Sequence, residues 1–135
     1  MTESNKTVAI ETMEALDRRN LDHVRANMAP NSRFYGWAPE PLDADGHRGF
    51  MSALLAAFPD SRFVVDDVIA EGDRVAVRHH LQGTHQAELQ GVPATGRPVE
   101  INAIVIFRIE NGKIAEAWLN ADIMGMMQQL GVVPA

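Results

Sequence analysis

The chain contains no cysteine. Disulfides, thiolate nucleophiles and Cys-ligated zinc are therefore excluded. Positive charge is also scarce: 12 Lys and Arg stand against 18 Asp and Glu, for a formal net charge of −6. No broad basic surface for DNA or RNA is expected. No apolar run is long enough to span a bilayer. The opening stretch MTESNKTVAIETMEALDRR lacks the apolar block of a signal peptide. Repeats, low-complexity tracts and linkers are missing as well. These absences lead to the expectation of a cytoplasmic protein with neither nucleic-acid nor membrane partners.

What is present fits one ordinary globular domain. The chain has 135 residues, of which 46% are hydrophobic and 22% charged. Residues 5–19 read as a helix, with Val8, Thr12, Ala15, Leu16 and Arg19 at helical spacing and Ser4 as its candidate cap. Asn20 can start a short second helix in which Leu21, Val24 and Met28 share a face, stopped by Pro30 and Asn31. SRFYGW (32–37) reads as a strand dense in aromatics. Asp45 is a candidate cap for a third helix carrying Phe50, Met51, Leu54, Leu55 and Phe58, ended by Pro59.

The remainder reads mostly as sheet. In RVAVRHHLQGTH, Val75, Val77, His79, Leu81, Gly83 and His85 share one strand face. QGVPATGRP (90–98) is a loop. INAIVIFR is apolar on both faces and predicts a central strand. Asn111-Gly112 marks a hairpin turn. IAEAWLNAD is the last strand and IMGMMQQLG the last helix, with Gly131 suited to its end. Helices first and antiparallel strands after give an α+β chain rather than an alternating one. A long twisted sheet curled around three helices leaves a concave side to be filled by side chains or a ligand.

Three stretches in order, GTHQAELQGVPATGRPVE, FRIENGKIAEAW and D…QQLG, together with the helix–helix–strand–helix opening, resemble the SnoaL-like polyketide cyclase (ester cyclase) branch of the nuclear transport factor 2-like superfamily. The resemblance covers nearly the whole chain as a single domain, 1–135. It implies a cone: a curved antiparallel sheet wrapped around three N-terminal helices, with a short C-terminal helix. It implies cofactor-independent acid/base chemistry, an intramolecular aldol closure or related lyase or isomerase chemistry on a small carbonyl compound, in an enclosed pocket. No cofactor is implied. The Asp that follows the last-strand Trp in a W-x-x-x-D spacing is the family's acid/base, and here that residue is Asp122, four positions after Trp118. A homodimer formed through the sheet is expected.

The residues themselves leave alternatives open. Asp122 also suits a helix N-cap. A cap bond from the backbone stabilises the carboxylate, whereas an apolar pocket raises its pKa. Trp118 and Asn120 share its strand parity. If that face points inward, Trp118 is a pocket wall and Asn120 a hydrogen-bond donor to substrate; the plainer reading makes Trp118 simply core. Glu116 has the same parity and is expected at a strand end, a bulge or solvent, or paired with Arg108. His79 is a candidate pocket residue in mid-strand, and His85 shapes the strand end or contacts substrate. Tyr35 and Trp37 are candidates for a mouth suited to an apolar or polycyclic carbonyl ligand, with aromatic core as the plainer reading. The adjacent His79 and His80 point to opposite faces, so no metal site is expected. Met124, Met126 and Met127 read as flexible packing. INAIVIFR departs from the family by offering few polar side chains, which points to an apolar ligand or a different reaction. The competing functions are an isomerase or epoxide hydrolase, and a non-catalytic small-ligand-binding domain of the same fold.

Overall fold

The computed structural model describes residues 2–134. Four helices and five strands follow in the order α1 (Thr2–Asp17), α2 (Leu21–Ala26), β1 (Met28–Tyr35), α3 (Ala44–Ala57), β2 (Arg62–Glu71), β3 (Arg74–Thr84), β4 (Pro98–Glu110), β5 (Lys113–Ala121) and α4 (Ile123–Leu130). The strands form one unclosed sheet in the order β1-β5-β4-β3-β2. β4 is thus the central strand, as its apolar run predicts. The α+β architecture read from the sequence is the one observed.

The elements end where local chemistry changes. α1 stops at Asp17, two residues short of the expected end, because Arg19 takes a left-handed backbone (φ 63°). Its guanidinium then donates to the Leu55 carbonyl at 2.6 Å and to Ser61 Oγ at 2.9 Å, tying the end of α1 to the end of α3. Ser4 lies inside α1 and does not cap it. Asn20 caps α2 by accepting the His23 amide. Asp43, not Asp45, caps α3: its Oδ1 accepts the Gly46 amide at 2.7 Å. A capping side chain reaches back from just before the helix to its third amide, and Asp43 stands in that place.

Pro30 and Asn31 do not end a helix. They lie in β1, which begins at Met28 on the sheet's edge, where a missing N–H costs no ladder bond. β1 pairs with β5 in parallel; the other three pairings are antiparallel. No hairpin constrains β1 and β5, which are far apart in sequence.

One face of the sheet packs on the helices. Val75, Val77, His79 and Leu81 of β3 are buried, as are Ile101, Val105, Phe107 and Ile109 of β4. The opposite face of β4 is not a second buried face. Ile104 is 47% exposed and Ile106 36%, on a strand whose alternation reads as apolar on both sides.

Candidate functional site

A cavity of about 120 Å³ lies between the inner face of the sheet and helices α1, α3 and α4. Cavities of about this size, roughly 150 Å³, hold a single aromatic ring when their walls are apolar. The sheet contributes Leu81, Ile101, Ala103, Val105, Phe107, Leu119 and Ala121. α1 contributes Thr12, Met13 and Leu16, and α3 contributes His47, Phe50, Met51 and Leu54. Ile123 and Met126 of α4, with Leu89 and Gln90 of the β3–β4 loop, also line it.

The polar groups on this wall are few, and most are already engaged. Thr12 donates to the Val8 carbonyl at 2.8 Å and accepts from Asn27 at 3.0 Å. His79 is buried and its Nδ1 lies 3.2 Å from the Val77 carbonyl. A carbonyl only accepts, so this contact puts the proton on Nδ1 and leaves Nε2 with its lone pair. Burial holds the His79 pKa below the ordinary histidine value, against the opposing Val77 contact, so the ring is neutral at pH 7. His47 is also buried, and desolvation alone lowers its pKa to about 4. Its ring stacks on Phe34 at 4.4 Å between centroids and meets Trp37 edge-on at 5.1 Å. Its Nδ1 has no hydrogen-bond partner among the described residues.

The candidate residues of the sequence fall into four places. His79 and Trp37 line the cavity. Trp118, Asn120 and Tyr35 lie on the outer face of the sheet, away from it. Leu119 and Ala121 point inward instead, opposite Val105 and Ala103. The inward pointing considered for Trp118 and Asn120 is therefore corrected. A β-bulge decides the matter: Ile114 pairs with Ile109 and Glu116 with Arg108, leaving Ala115 extra. Ile114 and Ala117 are thus both buried, and Glu116 faces outward, where Arg108 Nε donates to it at 2.8 Å. Trp118 stacks on Tyr35 with ring centroids 5.9 Å apart and carries the Arg74 guanidinium 5.0 Å above its ring.

Asp122 is exposed and caps α4, with Oδ1 accepting the Gly125 amide at 2.9 Å. Its neighbours Ala121 and Ile123 both line the cavity, so it stands at the cavity's edge without forming its wall. His85 lies off the cavity and organises the loop that covers it. Its backbone exchanges bonds with Arg97 and Gly96, and its Nδ1 accepts the Thr95 amide at 3.2 Å. The proton therefore sits on Nε2, the tautomer opposite to that of His79. Within this loop Leu89 and Val92 close a tight turn at 3.0 and 2.9 Å.

His47 did not stand out in the sequence. A signal was there: His47, Met51 and Leu55 recur every four residues on the buried face of α3. Among the described residues, no three His, Asp or Glu side chains gather as a metal site would require. No helix among them is long and apolar enough to cross a membrane.

Comparison with known proteins extends this picture. No curated protein matches the chain. Among solved structures, the proposed hydroxylase AclR of Streptomyces galilaeus is 28% identical, with a TM-score of 0.91 over 99% of this chain and 100% of that one. The proposed polyketide cyclase IdmH of Streptomyces antibioticus is 33% identical, with a TM-score of 0.83 over 94% of this chain and 98% of that one. A SnoaL-like protein of Jannaschia sp. CCS1, at 22% identity and a TM-score of 0.90 over 99% and 96% of the two chains, shares the fold. Residues 7–130 match the family model of the SnoaL-like polyketide cyclases, a span that takes in every wall of the cavity. The chain belongs to the SnoaL-like polyketide cyclase family.

Proposed function

We propose that the cavity binds a small, mainly apolar carbonyl compound and removes a proton from the carbon beside the carbonyl, without a cofactor. That proton transfer is the opening step of an aldol closure and of an isomerisation alike. One observation carries the reading: a neutral imidazole, His79, whose Nδ1 is tied to Val77 and whose other nitrogen is left with a lone pair, on the wall of an otherwise apolar cavity. A positioned base of this kind typically contributes about 10²–10⁴-fold.

Asp122 is the alternative base. It matches the family's W-x-x-x-D spacing, and both of its chain neighbours line the cavity. To act there, its carboxylate would leave the Gly125 amide and turn inward.

The test is deuterium exchange into pentane-2,4-dione in D₂O, followed by proton NMR. With His79 as base, His79→Gln loses the catalysed exchange and Asp122→Asn retains it. The opposite pattern assigns the role to Asp122. Binding of the dione without accelerated exchange would sink the enzymatic reading and leave a ligand-binding domain, the reading favoured by a carboxylate engaged in capping.

The outer face of the sheet supports the expected homodimer. Ile104 and Ile106 lie exposed on the central strand beside Trp118 and Tyr35. A second copy of this face, related by a twofold axis, would cover them.

A further inference from the structure

We propose that His47 is the group that holds the ligand's carbonyl oxygen, donating its imidazole N–H to that oxygen and to the enolate formed from it. This deepens the reading of the cavity as a site for carbonyl compounds and rests on it.

Hydrogen-bonding capacity on the cavity wall is mostly spent. Thr12 is bonded on both sides, and the N–H of His79 is committed to Val77. Gln90 is exposed. His47 differs from all three: it is 4% exposed, it lines the cavity, and its Nδ1 has no partner among the described residues. A neutral imidazole always carries one N–H and one bare nitrogen. Leaving such a group buried and unbonded costs about 1–3 kcal/mol, a penalty that a ligand atom of the right kind relieves.

The position is built rather than incidental. Phe34 stacks on one side of the ring and Trp37 meets it edge-on. These contacts fix the plane of the imidazole against the cavity wall. Because the ring is uncharged, it suits a neutral ketone or aldehyde oxygen better than a carboxylate, whose charge the apolar wall would penalise.

The two histidines then divide the reaction. The C–H electron pair moves toward the carbonyl carbon as the proton passes to His79 Nε2. The negative charge collects on oxygen, to which the His47 N–H donates its hydrogen bond. A donor aimed at the atom where charge develops stabilises the transition state more than the ground state. Return of the proton from His79 to carbon or oxygen restores both rings.

The experiment uses two probes of one shape, cyclopentanone and methylenecyclopentane, which differ in carrying C=O or C=CH₂. Their dissociation constants are measured by NMR titration for the wild-type protein and His47→Leu. The expected result is that the ketone-to-alkene affinity ratio falls by about tenfold in the variant, the equivalent of one hydrogen bond. An unchanged ratio, with both probes still bound, overturns the role of His47 and leaves the cavity reading standing. Binding of neither probe by the wild-type protein overturns both. Should His47→Leu not fold, nitrogen-15 shifts of the wild-type imidazoles decide the case. The ketone must move the His47 signals where the alkene does not, and equal responses to the two probes overturn the proposal.

Discussion

Asp122 and Gly125 fit together as a matched pair. The Asp122 carboxylate accepts the Gly125 amide at 2.9 Å, and a Cβ at position 125 would fall 2.2 Å from its Oδ2. The cap exists because residue 125 has no side chain, so a helical glycine, ordinarily unfavourable, is retained where an acid needs room.

This pair gives a prediction with a sign that depends on context. Asp122→Ala should lower stability by about 1 kcal/mol through loss of the cap. Gly125→Ala alone should gain nothing, because the added methyl displaces the carboxylate. In the Asp122→Ala background the same change should stabilise α4 by about 0.8–1 kcal/mol, the usual advantage of Ala over Gly within a helix. A double-mutant cycle by urea unfolding reads the coupling, and simple additivity would refute the pairing.

The buried His47 sets a pH dependence. Its pKa lies at about 4 in the folded protein against the ordinary 6.5, so the unfolded chain binds the extra proton between those values. Stability is therefore fully present above pH 6.5 and is lost as the pH falls toward 4, by roughly 3 kcal/mol at the limit. His79, also lowered by burial, acts in the same direction. His47→Leu should flatten this slope in unfolding curves taken from pH 7 to pH 4.5. A slope unchanged in the variant would mean that other groups carry it.

Opposite tautomers are expected for two histidines six residues apart, one within β3 and one just past its end. His79 holds its proton on Nδ1, against the Val77 carbonyl, and His85 holds its proton on Nε2, because Nδ1 accepts from Thr95. Nitrogen-15 NMR at pH 7.5 distinguishes the two forms. Thr95→Val should remove the hydroxyl contact at 3.0 Å and speed amide exchange at Gly96 several-fold, in keeping with about 1 kcal/mol of lost hydrogen bonding.

The outer face predicts self-association. Ile106→Glu places a charge in the middle of the exposed strip formed by Ile104, Ile106 and Trp118. Light scattering should find a dimer for the wild-type protein and a monomer for this variant, with probe binding in the cavity unaffected. A wild-type monomer at high concentration would dispose of the interface.

The kinds of element and their class were legible in the chain. Helical spacing, Asn20, Gly131 and the Asn111-Gly112 turn are local signals, and local backbone chemistry decides them. The strand face of Val75, Val77, His79, Leu81 and His85 was equally legible, because uninterrupted alternation fixes which side chains point together. Which way the last strand faces is set by its long-range pairing with β4. Alternation groups Glu116, Trp118 and Asn120, but it does not say whether that group looks in or out. The extra residue at Ala115, visible only in the pairing with β4, buries Ile114 and Ala117 together and turns Trp118 toward Arg74 and Tyr35. The same holds for the cavity. His47 becomes a candidate because Phe34, Trp37 and the sheet close around it, and that enclosure depends on long-range packing rather than on any residue's neighbours in the chain.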